Sequence, residues 1–377
     1  MKKALLLPIL ALVSTFAFVV GGRLVAQDVE FQPSTLVESK GDSNEADQQT
    51  SADKYENIKV ETVLEGLHNP CGIAIHPESG EIYVADSGAL RVIRVADGES
   101  EDVITGFTKD VYGEGPKYDI GPLGLCFLDS KTLVVGGGGK VDGEEMMRLY
   151  KIPAVGEKAI NADKTHGDPK MLPKSDDAPG EGNFYGLVKG SRGVFVTCNG
   201  DDTKGWVSLV TFNDKQEINE LSRSISTKEA TGVDAPVAIT LSPDGYLTVG
   251  QMGEIKDLPD SLLTFYSEEG DFLGKYETGL NDITGLAFGP NQGRLYATDF
   301  KWSDTKNGGL YKLVGVGEDR KQGCKAELVT KLEKPTAMTF SESGDLYILL
   351  AGNTSEGSET PNGKLIKISG LDEASSE

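Results

Sequence analysis

The chain has 377 residues, 25% of them charged and 38% hydrophobic, a balance that suits a soluble globular protein rather than a membrane-embedded one. Against 37 basic residues stand 59 acidic ones, a formal charge of -22. Such a surface repels phosphate backbones and anionic lipid, which argues against nucleic acid or a bilayer surface as a partner. The three histidines, His68, His76 and His166, are too few for a multi-histidine metal centre and confine any histidine triad to those positions.

At the start, two lysines precede an apolar run from Ala4 to about Val20. This is the layout of a bacterial export signal, and the run is nearly long enough to remain as an anchor. Residues 1–26 are therefore expected to be an export signal or N-terminal anchor, placing the mature chain in the periplasm or outside the cell. No cysteine follows the run, so a lipoprotein anchor is not expected. Residues 27–57 carry Ser, Gln, Asp and Glu with few apolar side chains, and are expected to be a disordered acidic linker. Residues 371–377 read as a short acidic tail.

From residue 58 one phrase recurs: an apolar strand opening on a small residue, a turn with Gly or Pro, and a second strand rich in Tyr, Leu and Val. The copies begin NPCGIAIHPESGEIYVADS (69–87), GPLGLCFLDSKTLVVGGG (121–138), NFYGLVKGSRGVFVTCNG (183–200), APVAITLSPDGYLTVGQ (235–251), DITGLAFGPNQGRLYATDF (282–300) and KPTAMTFSESGDLYILLAG (334–352). The small residue falls at Gly72, Gly124, Gly186, Ala238, Gly285 and Ala337, at intervals of 52, 62, 52, 47 and 52. A period near 50 built from short strands marks a β-propeller blade. The small residue belongs on the strand beside the central axis, where neighbouring blades converge.

Third strands are read at 90–96, 148–153, 206–212, 261–267, 309–315 and 363–369, with outer strands at 101–107, 217–223, 272–280 and 325–332. The last copy has no fourth strand, and a spare one, KVETVLEGL (59–67), precedes the first. The expected fold over 58–370 is thus all-β: a six-bladed β-propeller of four-stranded antiparallel blades, closed by the N-terminal strand completing the last blade.

The stretch NPCGIAIHPESGEIYVADSGALRVIRV resembles the NHL repeat, and 58–370 is similar to the six-bladed superfamily that holds gluconolactonase-like, strictosidine-synthase-like and quinone-dependent sugar dehydrogenase proteins. The resemblance implies the fold; one fold hosts many activities. Gluconolactonase-like members hold a divalent metal with a Glu, two Asn and an Asp, several just before the small residue. Here those positions are Cys71, Leu123, Tyr185, Val237, Thr284 and Thr336, and His68-Asn69-Pro70 stands where the resemblance implies a glutamate. A quinone-dependent dehydrogenase would want a basic, His-bearing site, and no cluster of that kind is present.

Ligands of propellers usually meet the channel mouth, formed by the loops before each inner strand and those joining second to third strands. Candidate ligand-binding residues there are His68, Asn69, Asp86, Asn183, Asp234, Asp282, Asp299 and Trp302. Clustered Asp and Asn oxygens suit a hard cation such as Ca²⁺, with Asn183, Asp234 and Asp282 the candidate metal ligands. Trp302, inside a polar loop, offers a face on which a sugar ring or side chain can stack. The same residues also suit Asx turns that bond loop backbone. Cys71, Cys126, Cys198 and Cys324 occupy different places in the repeat and read as buried free thiols. No GxSxG, HExxH or CxxC occurs, and VGGGGKV (135–141) lacks the rest of a phosphate-binding loop. The expected function is a binding module that presents its mouth to a protein or carbohydrate. The alternative is a divalent-metal-dependent hydrolase of lactones or esters with a non-standard ligand set.

Overall fold

The computed structural model describes residues 55 and 57–371, apart from 114–116, 256–258, 291–292, 319–320 and 353–359. The expected export signal or anchor, most of the linker and the acidic tail beyond Leu371 lie outside the described residues.

The chain begins its ring with β1 (Lys59–Leu67) and then lays down blade 1: β2 (Pro70–Ile75), β3 (Ile82–Asp86), β4 (Arg91–Ala96) and β5 (Glu99–Thr105). A separate hairpin follows, β6 (Asp110–Tyr112) and β7 (Tyr118–Ile120). Blade 2 is β8 (Pro122–Asp129), β9 (Thr132–Gly137) and β10 (Met147–Lys151), trailed by the short β11 (Ile160–Asn161). Blade 3 is β12 (Leu187–Lys189), β13 (Val194–Thr197), β14 (Trp206–Phe212) and β15 (Ile218–Ser226), and blade 4 is β16 (Pro236–Leu241), β17 (Leu247–Gln251), β18 (Leu262–Tyr266) and β19 (Phe272–Glu277). Blade 5 is β20 (Ile283–Phe288), β21 (Leu295–Asp299), β22 (Gly309–Glu318) and β23 (Lys321–Lys331). Blade 6 is β24 (Pro335–Phe340), β25 (Leu346–Leu350) and β26 (Gly363–Ser369), and its outer strand is β1, antiparallel to β26 from Lys59↔Ser369 to Leu67↔Gly363.

Blades 3 to 6 have four strands each; blade 2 has three. After β10 the chain leaves blade 2 and runs to blade 1, where β11 adds in parallel to β5. The guanidinium of the buried Arg94 holds this strap, donating to the carbonyl oxygens of Pro153 and Ala154 at 3.4 Å and to the Glu101 carboxylate at 2.5 Å. Returning, the strap bridges Met147 at Lys170, a single ladder step where blade 2 would carry its fourth strand. Tyr55, placed in the linker by composition, is buried with Tyr296, Leu310 and Leu371 between blades 5 and 6, because its ring fills the seam there.

The core lies between blades. Tyr83, Val103, Leu125, Leu133 and Tyr150 join blades 1 and 2; Phe195, Val207, Leu247 and Tyr266 join blades 3 and 4. At the axis the seams tighten to backbone contact. A Cβ on Gly72 would sit 1.9 Å from the carbonyl oxygen of Leu123, and one on Gly124 would sit 2.3 Å from that of Tyr185. Threonine hydroxyls tie the same seams: Thr284 donates to Pro335 O at 2.7 Å, Thr336 to Pro70 O at 2.7 Å and Thr197 to Val237 O at 2.8 Å.

The inner strands carry one further regularity. Pairing steps from Pro70↔Asp86 to Gly72↔Ala85, from Pro236↔Gln251 to Ala238↔Gly250, from Ile283↔Asp299 to Gly285↔Thr298 and from Pro335↔Leu350 to Ala337↔Leu349. Each step leaves one extra residue, Cys71, Val237, Thr284 or Thr336, on a β-bulge that re-aims its side chain. Gly72→Ala should cost about 1–3 kcal/mol, because rigid backbone rather than a mobile side chain blocks the methyl. Gly289→Ala, whose Cβ would meet its nearest neighbour at 3.7 Å, should leave the thermal midpoint close to wild type.

Candidate functional site

The four bulged residues converge with their counterparts in blades 2 and 3, Leu123 and Tyr185. Cys71, Leu123, Tyr185, Val237, Thr284 and Thr336, one from each blade, line a cavity of about 80 Å³ at the axis. Its floor is closed by Tyr185, whose hydroxyl crosses from blade 3 to donate to Thr336 O of blade 6 at 2.9 Å. Burial raises this phenol's pKa well above the ordinary value. A second, smaller cavity lies deeper in the channel, beneath Tyr185.

The roof is aromatic. The β6–β7 hairpin brings Tyr112 and Tyr118 over the axis to meet Phe300 and Trp302 of blade 5. Ring centroids are 6.3 Å apart for Tyr112–Trp302, 5.6 Å for Tyr118–Trp302 and 4.6 Å for Phe300–Trp302. The hairpin is tied on two sides: Asn199 Nδ2 donates to the Tyr112 hydroxyl at 3.2 Å and Asn69 Nδ2 to Asp119 O at 3.0 Å. Lys334 Nζ lies 5.9 Å from the Tyr118 ring centroid and donates to Gly352 O.

The turns that enter the inner strands place, three before each small residue, the rim positions Asn69, Gly121, Asn183, Ala235, Asp282 and Lys334, of which Asn69 and Asn183 line the cavity. Asn69, Asn183, Ala235 and Lys334 have left-handed backbones, with φ of 47°, 48°, 50° and 54°, a sharp turn that brings the chain into the inner strand. At Asn183 the turn is held by the buried carboxylate of Glu145, which accepts the Asn183 N–H. Burial pushes the Glu145 pKa up to about 8. Asp282 is wholly buried; its Oδ2 accepts the backbone N–H of Trp302 at 2.6 Å while its Oδ1 has no hydrogen-bond partner. Burial, with Asp299 and Asp260 nearby, pushes its pKa up to about 7.

Of the residues nominated from sequence, Asn69, Asn183 and Trp302 line the cavity, and Asp282 stands directly behind Trp302. The others do not line it. Asp86 accepts the His68 N–H at 2.6 Å and pairs with Arg91 at 2.9 Å, and Asp299 accepts the N–H groups of Asp282 and Lys301 at 2.8 and 3.1 Å. These two aspartates bind the loop before the inner strand to the end of the second strand, which occupies their oxygens. The His68 ring packs beside Gly88, 3.9 Å from Asp119 Oδ2. Asp234 is ion-paired with Lys228 at 2.5 Å, and Ala235 takes the rim position. Of the expected trio Asn183, Asp234 and Asp282, Asp234 is thus engaged by Lys228 and stands one residue before the rim position. Among the described residues no group of three His, Cys, Asp or Glu side chains is placed to hold a metal ion. The four cysteines are unpaired, and burial lifts the Cys71 thiol, on the cavity floor, to about 12. Sequence reasoning passed over Tyr112, Tyr118, Asn199, Met252 and Phe300, all cavity-lining.

No family model matches the sequence, and no curated protein does. Solved structures do resemble it. A gluconolactonase from Xanthomonas campestris is 13% identical over 83% of this chain and 90% of its own, with a TM-score of 0.52. The PQQ-bound aldose sugar dehydrogenase of Streptomyces coelicolor is 14% identical over 83% and 98%, with a TM-score of 0.55. The soluble aldose sugar dehydrogenase of Escherichia coli is 14% identical over 83% and 99%, with a TM-score of 0.54. This likeness establishes the fold. At such identity, activity has to be argued from the site itself.

Glu145, Glu181 and Asp282 all hold protons to higher pH than they would unfolded, near 4 for such groups, with burial raising them to about 8, 7 and 7. Between about pH 4 and 8 the folded chain therefore binds more protons than the unfolded one, so stability falls as pH rises through that window. Thermal midpoints should drop from pH 5 to pH 8, and the Glu145→Gln/Glu181→Gln/Asp282→Asn variant should show a flatter profile.

Proposed function

We propose that the chain hydrolyses a lactone or ester at the channel mouth, with a hard cation held by oxygens of Asn69, Asn183 and Asp282. The observation that carries this reading is the orphaned Asp282 oxygen. A wholly buried carboxylate oxygen without a donor calls for a proton or a cation, and this one shares its rim position with two amide-bearing side chains. All three donors are oxygens, as Ca²⁺ requires, and a single carboxylate suits the weak class of site, with dissociation constants of about 10⁻⁴–10⁻³ M. Export, proposed from residues 1–26, would take the chain to compartments where such sites operate. A bound cation would polarise an acyl carbonyl.

The remaining roles belong to the protein. Tyr112, Tyr118, Phe300 and Trp302 shut out bulk water and offer ring faces to a flat ligand. Tyr185 makes the pocket blind, so that a substrate enters and leaves by the mouth. Glu145, through the Asn183 N–H, positions one of the rim amides. The gluconolactonase likeness supports this reading at the level of the fold. The quinone cofactor of the dehydrogenases does not fit: an anionic group would find no Lys, Arg or His among the described cavity-lining residues. A platform for a protein partner has less to rest on, because the hairpin roofs the mouth.

At ten times its dissociation constant Ca²⁺ should stabilise the fold by about 1.4 kcal/mol, raising the thermal midpoint by about 2–4 °C. Asp282→Asn should fold but lose this response together with any lactone hydrolysis. An undiminished Ca²⁺ response in that variant would contradict the assignment.

A further inference from the structure

We propose that a groove between blades 4 and 5, apart from the channel, is a second binding site and takes a neutral saccharide. Its lining comes from the link between β19 and β20, from the end of β21 and from the outer strands β22 and β23 of blade 5. No residue of the groove lines the axial cavity, so the inference does not depend on the hydrolase reading. At about 560 Å³ the groove is far larger than the axial cavity, and falls among small-molecule sites of about 300–1,000 Å³.

The backbone here is committed and the side chains are not. Asp299 accepts the Asn281 N–H at 3.2 Å and the Lys301 N–H at 3.1 Å, which fixes the two chain segments that meet in the groove. Lys301 is held in a left-handed conformation, with φ of 52°. The Glu277 carboxylate, the Asn281 amide, the Lys301 ammonium and the Tyr311 hydroxyl keep no hydrogen bond or ion pair with a described residue. Asn281, Lys301 and Tyr311 are half-buried, so each has given up part of its hydration without a protein partner in exchange. Burial, with Asp299 nearby, raises the Tyr311 phenol above its ordinary pKa and keeps it a donor.

These four groups suit sugar hydroxyls. A hydroxyl both donates and accepts, and the set supplies an acceptor in Glu277, a donor in Lys301 and groups that do both in Asn281 and Tyr311. Two carboxylates, Glu277 and Asp299, are matched by two ammonium groups, Lys301 and Lys325, so the lining carries no net charge and gives neither an anion nor a cation an advantage. The Tyr311 ring adds an apolar surface for the C–H face of a pyranose. Carbohydrate, expected from the sequence at the channel mouth, is thereby assigned to the flank of the ring.

The test is calorimetry on the full chain with cellobiose, maltose and N,N′-diacetylchitobiose, and with inorganic phosphate and glycine as charged controls. At least one disaccharide should bind with a dissociation constant of about 1 mM or tighter, and more tightly than either control. Glu277→Ala and Tyr311→Ala should each weaken that binding about 10-fold while the Ca²⁺ response of the thermal midpoint stays as in the wild type. Glu277 is exposed on the outer strand of blade 4, so its variant carries the test should Tyr311→Ala fail to fold. Loss of the Ca²⁺ response alone would count against the cation site and not against the groove. Failure of all three disaccharides to bind would overturn the proposal. Tighter binding of phosphate or glycine would overturn it as well, and so would saccharide binding undiminished in the folded variants, which would place the sugar elsewhere.

Discussion

Six inner strands meet around one axis so closely that, at Gly72 and Gly124, a methyl group would collide with the carbonyl of the next blade. The rest of the molecule follows from this contact. Backbones that close leave room for nothing beyond a methyl group, and at Gly72 and Gly124 not even that, so the small residue recurs in every repeat. The residue before it sits on a bulge in four blades and lines the channel in all six. The residue three before it turns through a left-handed conformation at most blades and forms the rim. Floor and rim are thus produced by the same geometry that closes the ring, and identities at twelve repeat positions decide what the mouth can do.

Those identities are unevenly distributed. The floor is mostly apolar and its threonines serve the seams between blades, which leaves chemistry to the rim and roof. At the rim, the carboxyl groups of Glu145 and Asp282 are buried deeply enough to be raised towards neutrality. Glu145 is answered by backbone N–H groups and acts on structure. Asp282 is only half answered, by Trp302, and an unmet oxygen in such a place is unfavourable for folding. That imbalance distinguishes it from Asp86 and Asp299, whose oxygens are fully engaged in binding loops.

Much of the architecture was legible because it depends on repetition. Spacing between small residues exposed six blades, and the missing outer strand of the last copy pointed to 59–67, which the structure pairs with β26. The 62-residue interval after Gly124 is the longest of the five, but that its extra residues strap blade 1 was not legible, since a parallel two-residue ladder held by Arg94 leaves no pattern in sequence. The site was read less well. Asn69, Asn183 and Asp282 stand out because they occupy a repeat position, whereas Asp234 misses that position by one residue, and Lys228 reaches it from a short helix at Thr227–Thr231. Tyr112 and Tyr118 belong to an insertion outside the repeat. Their signal was present in DVYGEGPKYDI (110–120), alternating residues around a Gly-Pro turn, but only tertiary packing places that hairpin over the axis.

The account's central claim is that the ring leaves one carboxylate at its mouth awaiting a cation. The backbone N–H of Trp302 donates to that carboxylate, so the indole belongs to a residue in direct contact with it and can sensitise Tb³⁺, an oxygen-seeking substitute for Ca²⁺. Terbium emission excited through tryptophan is the most direct test. The account predicts emission that saturates with Tb³⁺, is displaced by Ca²⁺, and is lost in both Trp302→Phe and Asp282→Asn. Emission that persists in Asp282→Asn, or none in the wild type, would contradict it.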